Sequence, residues 1–230
     1  MNRVLFATIA GIMLIVGPAV PAQARNDQRP DSFVDVASLA PGLLVEMRYA
    51  TAHNFVGAPI DGYEKPVCFL TKPAATALAE VVLDLEVRGL TLKVYDCYRP
   101  ERAVAHFIRW ARNLGDQKMK AEFYPHVDKT TLFRDGYIAA RSGHSRGSTT
   151  DLTLARKDSG EVLDMGTPFD FFSPQSWPTD RSISAEAQKN RALLAQAMGR
   201  RGFRPYEKEW WHFTLRHEPY PQTYFDFPIR

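Results

Sequence analysis

Between residues 71 and 89 the apolar positions keep helical time: Leu78, Val81, Val82 and Leu85 stand at i, i+3, i+4 and i+7 and form one buried stripe. The pattern predicts a helix from about Pro73, capped by Thr71 and closed at Gly89. Alternation replaces it in Thr91-Leu-Lys-Val-Tyr95, a strand with Leu92 and Val94 on one side. That strand stops at Asp96-Cys-Tyr-Arg99-Pro100, and Pro100 starts a second helix with Val104, Phe107, Ile108 and Ala111 inward. A third helix is expected over Ser184 to Arg201, stopped by Gly202, with Ala187, Leu194, Ala197 and Met198 inward. Ser32 to Tyr49 reads as one or two edge strands. Asp151-Leu-Thr-Leu154 and Glu161-Val-Leu163 read as a hairpin turned at Lys157-Asp-Ser-Gly160, and Phe203 to Leu215 as strand-rich. The expected fold class is α+β: a small antiparallel sheet with helices packed on one side and a site at the sheet edge or in a cleft.

The first 24 residues break this pattern. Arg3 is followed by an apolar stretch from Val4 to Val20, and Ala22-Gln-Ala24 is a small-residue cleavage site, so residues 1–24 are expected to be a signal peptide removed after Ala24. Gly11, Gly17 and Pro18, with no stop-transfer charges behind them, argue against a retained membrane anchor. Export predicts a periplasmic or extracellular protein with no stable membrane insertion after cleavage. Of 230 residues 206 remain, residues 25–230, a single domain; as Arg3 is the only charge lost, 28 Lys and Arg face 26 Asp and Glu. So even a balance, without a basic stripe, gives nucleic-acid binding no support. Outside the reducing cytosol, Cys68 and Cys97 favour a disulfide, worth on the order of 3 to 4 kcal/mol, over two buried thiols. No Cys-x-x-Cys spacing marks them as zinc ligands.

The chemistry concentrates in Ser142-Gly-His144-Ser-Arg-Gly147-Ser-Thr-Thr-Asp151 and in Glu209-Trp-Trp-His212. His144, Asp151 and His212 supply three ligands for one Zn²⁺, the number that leaves a fourth position open for chemistry. Glycines and small hydroxyl residues suit a tight loop that turns His144 back beside Asp151. A zinc site that activates water needs a proton acceptor, and Glu209 is close enough in sequence to His212 to be that base. Side chains three apart on a flat strand face opposite ways, so a bulge, bend or helical turn is expected between Glu209 and His212. Arg99 projects from a strand-to-helix junction, with a salt bridge to Asp96 as its alternative, purely structural use. His53, His106, His126 and His217 read as ordinary surface or core histidines.

These motifs, with Arg48-Tyr-Ala-Thr51, Asn54-Phe-Val-Gly57, Asp61-Gly-Tyr63, Tyr98-Arg-Pro100, Met165-Gly-Thr-Pro-Phe-Asp170 and Tyr224-Phe-Asp-Phe-Pro228, make the chain resemble the zinc D-alanyl-D-alanine dipeptidases of the VanX type. The resemblance covers most of the mature chain and implies the same ligands and base. It further implies that Arg99 stabilises the oxyanion, that Asp170 receives the substrate ammonium, and that Tyr49 and Ser142 orient a small dipeptide. Trp210 and Trp211 either wall that pocket or belong to the core. The export signal departs from the cytoplasmic resistance enzymes and points to turnover or salvage of peptidoglycan dipeptide in the cell envelope. Two rival functions remain: a zinc D,D-carboxypeptidase or endopeptidase acting on stem peptides, and a zinc-holding module that binds cell-wall peptides without cleaving them. Glu209 and Arg99 argue against the second, because binding alone needs neither.

Overall fold

The computed structural model describes residues 27–230, so the expected signal peptide and its cleavage site lie outside the described residues. Chain order is β1 (Phe33–Asp35), β2 (Leu44–Val45), β3 (Phe69–Thr71), α1 (Lys72–Glu86), β4 (Leu90–Asp96), α2 (Glu101–Arg112), α3 (Lys120–Phe123), β5 (Thr149–Arg156), α4 (Ala185–Arg200), β6 (Phe203–Tyr206) and β7 (Glu209–Leu215). The architecture is α+β. Five strands form the main sheet in the order β2-β4-β5-β7-β6, while β1 and β3 pair as a separate antiparallel ribbon. All neighbours in the main sheet are antiparallel except β2 and β4, which run parallel. The expected antiparallel sheet therefore gains one parallel edge, because β2 returns to β4 through β3 and α1 rather than through a hairpin.

The α1 stripe is buried as its spacing requires, with Leu78, Val81, Val82 and Leu85 at most 2% exposed. The helix packs on β4 and on α4, which itself covers β6 and β5, so both long helices share one side of the sheet. Thr71 precedes α1 without capping it; its hydroxyl pairs with Ser148 Oγ at 2.9 Å instead, tying the helix start to the segment that enters β5. In α2 the inward set is Ala103, Val104, Phe107, Trp110 and Ala111, with Ile108 only half-buried. Phe107 packs edge-on to Tyr49 and at a tilt to Phe55, so this helix supports the site.

One expected element is corrected. No hairpin strand forms over residues 161–163; contact is limited to the Ala155–Val162 bridge and the bonds around it. β5 is already flanked by β4, and by β7 along Thr149–Asp151, so only its far end is open to a third partner.

Two irregularities set the site. The β4–β5 register slips between Val94 and Asp96, so that Asp96 pairs with Asp151, and Asp151 in turn pairs with His212. Asp96, Asp151 and His212 thus form one row across three strands. In β7 the register jumps between Pro205 opposite Phe213 and Tyr206 opposite Glu209. This bulge re-aims the strand and brings Glu209 to the same side as His212, the distortion that their spacing demanded.

Candidate active site

His144 stands in a short 3₁₀ turn, Gly143–Arg146, that Ser142 caps and Gly147 ends. Ser142 Oγ accepts the His144 amide at 3.2 Å, and Gly147 supplies the left-handed backbone (φ 78°) that lets the chain turn straight into β5. His144 Nδ1 lies 2.7 Å from the Cys97 carbonyl, which can only accept, so Nδ1 carries the proton and Nε2 is left as a donor pair. Nε2 points into the row, 3.3 Å from Asp151 Oδ2 and 3.3 Å from His212 Nδ1. His212 Nδ1 is 3.1 Å from Asp151 Oδ1 and 3.4 Å from Glu209 Oε2.

These separations suit a single small cation. Zinc bonds of about 2.0 to 2.2 Å in tetrahedral array imply edges of about 3.3 to 3.6 Å between donors. The three residues converge as one potential metal site, donors within 4.8 Å of one another. Asp151 Oδ1 is buried with His212 Nδ1 at 3.1 Å in poor hydrogen-bond geometry, and a cation shared with that ring would complete it. Burial alone would raise the Asp151 carboxyl, but the His144 and His212 imidazoles hold it well below the usual carboxylate range. Burial pulls His212 the other way, and contact with Asp151 and Glu209 overcomes it, lifting the ring to about 9. Both shifts come from the mutual contact of these groups, and a metal would have to displace the proton that this contact holds on His212.

Arg99 meets Asp96 twice, Nε at 2.9 Å and Nη2 at 2.8 Å, and its Nη2 reaches Asp151 Oδ2 at 3.6 Å. The salt bridge to Asp96 and a place on the cavity wall are therefore compatible: Asp96 fixes the guanidinium, whose Nη1 turns to Ser142 Oγ at 3.5 Å. Tyr63 completes the support by donating to Asp96 Oδ1 at 2.6 Å. The Cys68–Cys97 disulfide is formed, joining the start of β3 to the turn that bears both Arg99 and the carbonyl beneath His144.

Asp170 has a left-handed backbone (φ 61°) and a buried carboxylate that accepts from Tyr49 Oη at 2.8 Å. Burial pushes its carboxyl well up, and the charge of Asp151 pushes the same way. Its loop is held by α4, where Arg191 donates to Met165 O at 2.7 Å, Trp177 O at 2.9 Å and Thr167 Oγ1 at 3.3 Å. Trp210 also donates to Thr167 Oγ1, and Trp211 packs edge-on to Phe169. Both tryptophans are core residues that brace the Asp170 loop; neither lines the cavity.

The cavity joins these groups. It has a volume of about 270 Å³ and is bordered by Tyr49, Arg99, Ser142, Asp170 and Glu209 as well as His144, Asp151 and His212. That is below the common range for ligand pockets, roughly 300 to 1,000 Å³, and suits a ligand of very few atoms. Every expected site residue is therefore brought together. Asp96 was expected only as the structural salt-bridge partner of Arg99, and Tyr63, which supports Asp96, went unassigned in the sequence, where its only signal was the Asp61-Gly-Tyr63 motif.

A His-Asp-His set with an adjacent carboxylate, bordering a small cavity in an α+β domain, fits the class of zinc metallopeptidases. Within that class the chain belongs to the M15 peptidase family described as D-ala-D-ala dipeptidase, whose profile matches residues 29–230. It is 41% identical over 199 residues to a D-alanyl-D-alanine dipeptidase of Enterococcus faecalis, covering 86% of this chain and 98% of that one. A D-alanyl-D-alanine dipeptidase of Streptomyces coelicolor is 43% identical over 197 residues, with 86% and 98% covered. One from Escherichia coli is 38% identical over 182 residues, with 79% and 83% covered.

Proposed function

We propose that this protein hydrolyses free D-alanyl-D-alanine to two molecules of D-alanine, using one zinc ion held by His144, Asp151 and His212. The observation that carries the reading is the buried Asp170 carboxylate, placed in the same 270 Å³ cavity as the three metal donors and Glu209. A carboxylate there gives a substrate's free ammonium a fixed counter-charge, and an internal residue of a longer peptide has no such group to offer. The D,D stereochemistry is inferred from the relatives.

When bound, zinc polarises the scissile carbonyl and acidifies the attacking water. Glu209 takes the proton from that water and returns it to the departing amine, so that the C–N bond breaks as the amine becomes neutral. Arg99, held rigid by Asp96, presents Nη1 to the oxygen that gains charge during attack, a preorganised donor that needs no rearrangement. Asp170 and Tyr49 hold the ammonium end, and Ser142 helps orient the peptide.

The leader and the Cys68–Cys97 bridge support a place in the cell envelope, since disulfides persist in oxidising compartments. There the reaction would serve turnover of peptidoglycan dipeptide. Assaying D-alanine release from free dipeptide beside a pentapeptide stem tests the reading: turnover of the dipeptide alone is expected, and preferential trimming of the stem would replace it with the carboxypeptidase reading. Glu209→Gln should lower kcat by about 10² to 10⁴, and an undiminished rate would reject the base.

A further inference from the structure

A free dipeptide carries a charge at each end, and Asp170 answers only one of them. Two arginines border the cavity, Arg99 and Arg141. Arg99 is 13% exposed and already neutralised by Asp96, with Asp151 close behind. Arg141 differs in each respect. Its residue is exposed, and among the described residues no carboxylate lies within salt-bridge distance of its guanidinium. Glu101, at the start of α2, feels it only from a distance: burial and Asp226 raise that carboxyl, and Arg141 opposes them in part.

The guanidinium is nevertheless not loose. Its carbon lies 4.8 Å over the Tyr224 ring, a cation–π contact that favours one orientation. Arg146 reaches the same ring at 5.7 Å, but Glu218 takes both its Nε and Nη2 at 2.8 Å, which leaves Arg141 as the uncommitted charge. The platform is fixed to the metal-binding turn at both ends. Arg141 directly precedes Ser142, the cap of that turn, and Phe225, next to Tyr224, donates its amide to Ser145 O at 2.9 Å.

The cavity is therefore bipolar, with a buried anion at its base and an uncommitted planar cation at its exposed border. We propose that Arg141 is the receptor for the substrate's terminal carboxylate and so sets the requirement for a free C-terminus. A guanidinium matches a carboxylate by two parallel N–H···O bonds, which a lysine ammonium cannot reproduce. This inference rests on the dipeptidase reading and adds to it the group that recognises the second charge.

The test compares D-alanyl-D-alanine with its C-terminal amide on the wild-type protein, Arg141→Gln and Arg141→Lys, each with measured zinc content. The wild type should prefer the acid. Arg141→Gln should lose about 10- to 100-fold in kcat/KM on the acid, the usual worth of a hydrogen bond to a charged group, mostly through KM. The preference for acid over amide should collapse with it, and Arg141→Lys should restore part of it. An equal loss on acid and amide overturns the inference, and so does an unchanged preference, while both leave the dipeptidase reading standing. If the wild type cleaves neither compound, the dipeptidase reading itself falls and takes this inference with it.

Discussion

Replacing Cys68 and Cys97 together by alanine removes a link across 29 positions of chain. In the chain-entropy description, closing a loop of that length lowers the unfolded state's entropy by about 12 cal/mol/K, or about 3.6 kcal/mol at 25 °C. A domain of this size shifts its midpoint by roughly 2 to 4 °C for each kcal/mol, so the double variant should melt roughly 7 to 14 °C lower. Both sulfurs are fully buried, and their loss adds a small packing defect in the same direction. Metal affinity should fall as well, because the Cys97 carbonyl that fixes His144 Nδ1 is itself fixed by the bridge. Loss of an outer contact to a ligand usually weakens metal binding about 10- to 100-fold; since the carbonyl remains, only loosened, the low end applies. Urea unfolding of the metal-free protein would give the first quantity and chelator competition the second. A stability change under about 1 kcal/mol with zinc affinity intact would refute the account, since the bridge would then constrain neither the chain nor the ligand.

Asp170→Asn should raise KM for the free dipeptide and flatten its pH dependence. The Asp170 carboxyl is raised, first by burial and then by Asp151, so it takes up its proton at a higher pH than an ordinary aspartate; as pH falls through that value the counter-charge is lost and KM climbs. A wild-type KM that stays level on the acid side, or matches that of an N-acetylated dipeptide, would exclude the role. Gly147→Ala places a Cβ 2.1 Å from Phe33 Cε1, on a ring already wedged against Tyr98, Phe225 and Phe227. Left-handed strain of about 1 to 2 kcal/mol and overpacking of about 1 to 3 kcal/mol add to a destabilisation of about 2 to 5 kcal/mol, measurable by denaturant titration; a loss below 1 kcal/mol would contradict the packing.

The long helices and the metal donors were legible because their signals are local. α1 and α4 follow from the spacing of their own side chains, and His144 and Asp151 from a short run of glycine and hydroxyl residues. What remained hidden depends on partners far away in the chain. The pairing of Asp96 with Asp151 follows from a slip of register between β4 and β5, and the expected hairpin shrinks to a single bridge between Ala155 and Val162, neither of which a local pattern announces. Tyr49 sits in a three-residue turn with no periodicity, and the left-handed backbone of Asp170 has no glycine to announce it. Motif resemblance, rather than pattern, put those two residues in the site.

The final stretch of chain binds parts of the molecule laid down long before it. Glu101 donates its amide to Phe225 O, Tyr98 its hydroxyl to Phe227 O, and Ile229 its amide to Gly62 O, while Phe225 secures the turn beneath His144. Residues 225–229 therefore strap together three separate stretches of chain, so that shortening this segment should loosen the turn that bears His144 and the junction that bears Arg99 at the same time.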